Sequence, residues 1–252
     1  MNTYRTSEVA QLFGIHPNTV RLYEELEFLP KPERQENRYR VFNDFHIEQM
    51  KLLRIALKIE VLQNGLRKKA IEIIKTSAKG DFDDAINFTE AYLAQVKTEQ
   101  RNAEEAIAIA ANLISGAKND NSGVLLNRKD AADYLRVTID TLRNWEMNGL
   151  ITVKRSKNGY RVYSEEDIHI LKIVRSLRCA NYSLAAILRM LSAISKDSNV
   201  NVREIIDNPP EDDDIISVCD KLITSLKSAE ANAELMLDQL NRMKTEFSKA
   251  PF

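Results

Sequence analysis

The 252-residue sequence predicts a mainly α-helical chain in which one compact unit occurs twice, each copy followed by a long helix of coiled-coil pattern. Three observations predict it. Residues 9–24, VAQLFGIHPNTVRLYE, return at 131–146 as AADYLRVTIDTLRNWE. A short basic run follows each string and ends in Tyr39-Arg40-Val41-Phe42 or Tyr160-Arg161-Val162-Tyr163. Beyond each unit, apolar residues recur every seven positions over equal stretches, 86–114 and 215–243.

The elements of each unit follow in order. Thr6 is expected to N-cap a first helix whose inward positions are Val9, Ala10, Leu12 and Phe13. Gly14 supplies a turn. His16 then caps a second helix with Pro17 at its first position, where the missing N–H costs nothing. Val20, Tyr23 and Leu26 lie along that helix at helical spacing. In the second copy Asn127 and Thr138 take the two capping positions. Two such helices joined by a tight turn make a helix-turn-helix. Asn158-Gly159 between two β-prone runs marks a hairpin, or wing. In the first copy Pro30 and Pro32 confine the first strand to an edge, and Asn37-Arg38 stands where the second copy has Asn-Gly. Asn43, and Ser164 with Asp167, are placed to start a third helix. The expected fold is therefore mainly α, with two winged helix-turn-helix domains each followed by a long coiled-coil helix. The expected boundaries are 1–78 for the first domain, 79–118 for its long helix and 119–196 for the second domain. An acidic linker and the second long helix then fill 197–252.

Charge points to the ligand. The whole chain carries −1, which does not suggest a nucleic-acid binder, but the segments differ. Residues 1–75 carry +3, 76–121 carry −4, 122–195 carry +5 and 196–252 carry −5. The basic blocks coincide with the two winged units, so these can face phosphates while the acidic helices stay clear of the duplex.

The string running from the first helix through T-x-R-x-[YW]-E, then a basic wing ending N-x-Y-R-V-[FY], resembles the MerR family of bacterial transcriptional regulators. The resemblance covers about residues 4–75 and again 126–195. It implies double-stranded DNA as partner, RNA polymerase at a promoter, and a long helix that pairs antiparallel with a second such helix. It also implies that the second helix and the wing lie on DNA. On this chain those positions are His16, Asn18, Thr19, Arg21 and Tyr23 with Arg38, Tyr39 and Arg40 in the first copy. In the second they are Thr138, Asp140, Thr141, Arg143 and Trp145 with Lys154, Arg155, Lys157, Tyr160 and Arg161. Tyr23 and Trp145 either touch DNA or pack the helix against the wing. Family second helices usually read R-Y-Y-E; here Leu22 and Asn144 replace the first aromatic. Asp140 on the reading face repels phosphate or accepts from a cytosine amino group.

The seams are expected at Ile86, Leu93, Gln100, Ile107 and Ile114 with Val96, Ala103 and Ala110, and at Cys219, Leu226, Ala233 and Leu240 with Ile215, Leu222, Ala229, Met236 and Met243. Pairing within one chain and pairing in a homodimer both satisfy the pattern. Cys219 falls on the seam, where a small apolar residue belongs, and it reads as structural. Glu211-Asp212-Asp213-Asp214 reads as a solvated helix start. Cofactors and metals are not expected. No phosphate-cradling glycine loop, nucleophile elbow or catalytic carboxylate pair is present, so an enzyme is not expected. No apolar run approaches the length of a bilayer span and Met1-Asn2-Thr3-Tyr4-Arg5 is not laid out as a signal peptide, so a cytoplasmic protein is expected. An architectural DNA binder, or an accessory to recombination or partition, is the alternative to a transcriptional regulator.

Overall fold

The computed structural model describes residues 2–58, 65–115, 125–156, 158–196, 201–208 and 221–247. The first copy comprises β1 (Thr3–Tyr4), α1 (Thr6–Leu12), α2 (Pro17–Glu25), β2 (Glu33–Arg34), β3 (Arg40–Asn43), α3 (Asp44–Ala56) and α4 (Leu66–Ala78), followed by the long α5 (Phe82–Ser115). The second comprises β4 (Leu126–Asn127), α6 (Arg128–Leu135), α7 (Ile139–Met147), β5 (Lys154–Arg155), β6 (Arg161–Tyr163), α8 (Glu165–Cys179) and α9 (Leu184–Lys196). Then come the short α10 (Val202–Asp207) and the long α11 (Leu222–Phe247). The chain divides into two compact units, Met1–Thr98 with Ser225–Phe252, and Glu99–Thr224. The division falls within α5 and within the first turn of α11.

The predicted caps form wherever a short polar side chain stood at the right place. His16 Nδ1 accepts from the Asn18 amide at 3.2 Å, Asn127 Oδ1 from that of Asp130 at 3.0 Å, and Thr138 Oγ1 from that of Thr141 at 3.0 Å. Ser164 and Asp167 close a reciprocal capping box. The first helix is the exception. It starts one residue early, with Arg5 at the cap and its amide held by the Glu8 carboxylate at 2.6 Å; Thr6 is already helical. The cause is β1, which the sequence reading missed. Thr3 and Tyr4 pair with Asn43 and Phe42, and so deliver Arg5 in extended conformation to the helix start. Each wing is thereby a three-stranded antiparallel sheet, ordered β1-β3-β2 and β4-β6-β5, with the proline-bounded β2 at an edge as expected.

In the first unit Val9, Val20, Phe42, Phe45, Leu52, Leu53, Ile73 and Ile74 make the core. Leu12, expected inside, is 60% exposed, and Leu26, at helical spacing from Tyr23, is 42% exposed. Helices of seven and nine residues present too narrow a stripe to bury every apolar position. A buried amide ties three elements together. Gln49 Nε2 donates to the Phe28 carbonyl at 3.0 Å and the Ile74 carbonyl at 2.9 Å, while its Oε1 accepts from Ser77 at 2.7 Å.

The C-terminal helix completes this unit. Lys97 pairs with Glu230 at 3.3 Å, and Asp83 with Lys244. Residue numbers fall along α11 as they rise along α5, so these stretches run antiparallel. Phe247 packs tilted against Phe45, ring centres 5.3 Å apart, and Phe82 meets Phe45 edge-on at 6.0 Å. Gln239 Nε2 donates to the Glu48 carbonyl at 3.1 Å and carboxylate at 2.8 Å.

The interior stripe of α11 is Leu222, Leu226, Ala229, Ala233, Met236, Leu240 and Met243, as expected. Ile215, Cys219 and the run 211–214 lie outside the described residues. Along α5 one line is as expected, Val96, Ala103 and Ala110, joined by Thr89. The other is shifted by one residue over its first half. Ala85 and Tyr92 are buried, whereas Ile86 and Leu93 are half-buried. Tyr92 offers more apolar surface than Leu93 and occupies the interior. In the second unit the Glu99–Ser115 part of α5 docks at its last turn, where His169 of α8 bonds the Leu113 carbonyl. Asp207, at the end of α10, accepts from the Ile223 and Thr224 amides and so caps the start of α11 from a distance.

Candidate nucleic-acid interface

The second helix of each helix-turn-helix presents the expected polar face. His16, Asn18 and Arg21 are exposed on α2, with Thr19 half-buried; Arg21 donates to Asn18 Oδ1 at 2.5 Å. Thr138, Asp140 and Arg143 are exposed on α7, with Thr141 held against Thr138. The aromatic of the string points the other way. Tyr23 is half-buried and packs on Phe28, ring centres 6.2 Å apart. Trp145 is only 4% exposed and belongs to the core, which removes it from the DNA-contact set. The indole is the largest apolar surface on a nine-residue helix, and burying it outweighs a contact at the rim.

The wings project side chains from matched hairpins. Gln35 N donates to Tyr39 O at 3.0 Å in one, Ser156 N to Tyr160 O at 2.8 Å in the other. Arg38 and Gly159 occupy the same turn position, with φ of +65° and +80°. Arg38, Lys154 and Arg155 are exposed, and Tyr39 and Tyr160 are 70% and 75% exposed. Lys157 lies outside the described residues.

Arg40 and Arg161, expected on DNA, are half-buried and each pairs with a glutamate of the second helix. Arg40 pairs with Glu24, and Arg161 Nε lies 2.6 Å from Glu146 Oε2. These glutamates end the T-x-R-x-[YW]-E strings and clasp each wing to its second helix. Arg34 approaches Glu24 at 3.9 Å; Arg128 reaches Glu146 at 3.0 Å, and the Tyr163 hydroxyl donates to the same carboxylate. Burial and then the Glu146 carboxylate raise the Tyr163 hydroxyl above its usual range, so it stays a donor. The clasp fixes the angle between helix and wing, and so the spacing of whatever they touch. The sequence carried a signal for it: an acid and an arginine recur at matched positions of both copies.

Among the described residues no group of three His, Cys, Asp or Glu side chains could hold a metal, and no helix is long and apolar enough to cross a membrane.

The geometry is that of an exposed polar helix face beside a basic wing, built twice, and comparison with known proteins agrees. The model of the MerR family regulatory protein matches residues 5–42, and that of the MerR HTH family regulatory protein matches 127–194. A helix-turn-helix transcriptional regulator of Synechocystis is 26% identical over 127 residues, half of this chain and 80% of its own. The regulator AdhR of Bacillus subtilis is 34% identical over 83 residues, 32% of this chain and 59% of its own. The mercuric resistance operon regulatory protein of Bacillus cereus is 26% identical over 102 residues, 40% of this chain and 74% of its own. No solved structure matches. Members of this family bind double-stranded DNA as transcription regulators rather than acting as enzymes. The chain belongs to the MerR family of DNA-binding transcriptional regulators, whose models match it in two places.

Proposed function

We propose that this regulator seats its two winged units on two half-sites of one operator, with its long helices pairing within the chain, so that one chain does the work of a dimer. Glu48 and His169 occupy the same position of the repeat. Each receives the end of the long helix that follows the other copy, Gln239 of α11 on Glu48 and Leu113 of α5 on His169. That reciprocity supports the reading. On DNA, α2 offers His16, Asn18, Thr19 and Arg21, and α7 offers Thr138, Asp140, Thr141 and Arg143. The wings offer Arg38, Tyr39, Lys154, Arg155, Lys157 and Tyr160, with Tyr23 at the margin. The two faces differ in chemistry, so the operator is an asymmetric pair of half-sites, because operator symmetry mirrors protein symmetry. The setting is a cytoplasmic promoter with RNA polymerase as the downstream partner, and the boundaries 1–78, 79–118, 119–196 and 197–252 describe the sequence modules.

Sedimentation combined with footprinting tests this. The expected result is a monomeric protein that protects two unlike half-sites about one helical turn apart, roughly 34–36 Å. A stable dimer protecting a perfect inverted repeat would overturn it.

A further inference from the structure

In the second copy the helix-turn-helix turn carries an arginine where the first copy has Gly14. Arg136 ends α6 in the left-handed conformation, φ +52° and ψ +47°, a region that disfavours any side chain with a Cβ. Strain of this kind persists where the surroundings use it. The strained residue borders an open hollow of about 570 Å³ whose wall includes Arg136, Arg175, Arg178, Thr138, Thr141 and Asp140. Three arginines and one aspartate line it, leaving a charge of about +2 on the wall. Arg136 and Arg175 are exposed; Arg178 spends one N–H on the Tyr182 carbonyl and keeps the rest of its fork. Thr138, the cap of α7, stands beside them, next to the face assigned to base edges.

The first copy lacks two of the three arginines. Arg54 matches Arg175, but Gly14 and Leu57 stand where the second copy has Arg136 and Arg178. A Cβ at Gly14 would meet nothing within 4 Å, so space is not what keeps an arginine out of that turn.

We propose that this hollow is a phosphate seat, present in the second copy alone, that takes a backbone phosphate of the duplex beside the α7 half-site. The proposal rests on the half-site reading above. Arginine forks match phosphate oxygens in pairs, and such contacts set position without reading sequence. The second copy then has a position-setting contact that the first lacks, and its Asp140 discourages a phosphate from sliding along the reading face.

The test uses the full-length protein and its mapped operator. Binding is titrated over a salt series for wild type, Arg136→Gly, Arg175→Gln and the double variant. Each lost phosphate contact should flatten the plot of log K against log salt by about 0.9. Arg136→Gly should also raise the melting temperature of the free protein, because glycine relieves the left-handed strain, so a weaker, flatter salt response in this variant cannot be put down to unfolding. Gly14→Arg in the first copy should steepen the slope. Unchanged affinity and slope in the double variant, with wild type binding normally, would overturn the seat alone. Failure of wild type to bind any duplex would overturn the DNA reading as well. The DNA-free protein is also melted in inorganic phosphate against chloride at equal ionic strength. Stabilisation by phosphate that the double variant loses, with an unchanged DNA slope, would assign the seat to a free anion and overturn the duplex as its source.

Discussion

The two copies share a backbone to a degree their sequences do not. Three turns take a left-handed residue at matched positions, Gly14 with Arg136, Glu27 with Gly149, and Arg38 with Gly159. In each pair one copy uses glycine and the other a charged side chain. The third helices begin with the same reciprocal box, but His46 closes it in the first copy and Asp167 in the second. The clasps share a glutamate and a wing arginine. Tyr163 adds a hydroxyl that Phe42 lacks, and the remaining arginine comes from α6 in one copy and β2 in the other. Geometry is retained while the chemistry at each corner is exchanged, as the proposed reading of two unlike half-sites would require.

The comparison can be broken most sharply at Leu240, which is fully buried in the first unit. Leu240→Glu places an unpaired charge there and should cost on the order of 4 kcal/mol. Trp145 is the only tryptophan and lies in the second unit, so its fluorescence reports that unit by itself. Circular dichroism should show an early transition while the fluorescence midpoint stays put; a shared shift would mean that the units unfold as one.

Acid should separate the copies next. Burial lowers His46 to about 4 from its ordinary 6.5. The unfolded chain therefore takes up a proton that the folded one refuses. The associated stability is complete above pH 6.5 and is lost as pH falls toward 4, up to about 3 kcal/mol. His46→Asn should flatten that slope in urea titrations of the first unit. A slope that survives the substitution would place the proton uptake elsewhere.

Removing the clasps ranks third. Glu146 holds two arginines and a tyrosine, Glu24 two arginines with one of them distant. Glu146→Ala should cost about 2–3 kcal/mol and Glu24→Ala about 1–2 kcal/mol, with operator affinity falling in both. Equal losses would mean that the tyrosine hydroxyl contributes nothing.

The smallest effects belong to the turns. Glu27→Gly and Arg38→Gly should each stabilise the free protein by roughly 1 kcal/mol, and Gly149→Ala should destabilise by a similar amount. Thermal melts resolve shifts of this size, and stabilisation by Gly149→Ala would contradict the shared backbone.

What could be read beforehand was local. His16, Asn43, Asn127, Thr138 and Ser164 announce their helix starts because a cap is settled within three residues of chain. The repeat and the α11 stripe were legible because periodicity needs only the order of residue types along the chain. The misses are decided by parts of the chain far apart in sequence. β1 exists because β3 is there to pair with it. That Arg40 and Arg161 each meet a glutamate of the second helix shows only in the folded unit. Trp145 stays open between DNA and packing until the unit closes over it. The one-residue shift along α5 depends on how Tyr92 and Leu93 compete for the same interior, which spacing alone does not decide. Arg136 was invisible, since no sequence rule puts an arginine in a left-handed turn.

The composition of the first unit has a consequence for synthesis on the ribosome. Its core is drawn from residues 1–98 and 225–252, so 126 residues of other structure are translated between its two parts. At about 5–20 residues per second, that interval lasts on the order of ten seconds. Throughout it, Phe45 and Phe82 lack Phe247, and the interior stripe of the first part of α5 lacks its antiparallel partner. The second unit, contiguous from Glu99 to Thr224, meets no such delay. The half of the protein made first is therefore the last to close, and it relies on chaperones, or on the solubility of its own charged surface, until the chain is finished.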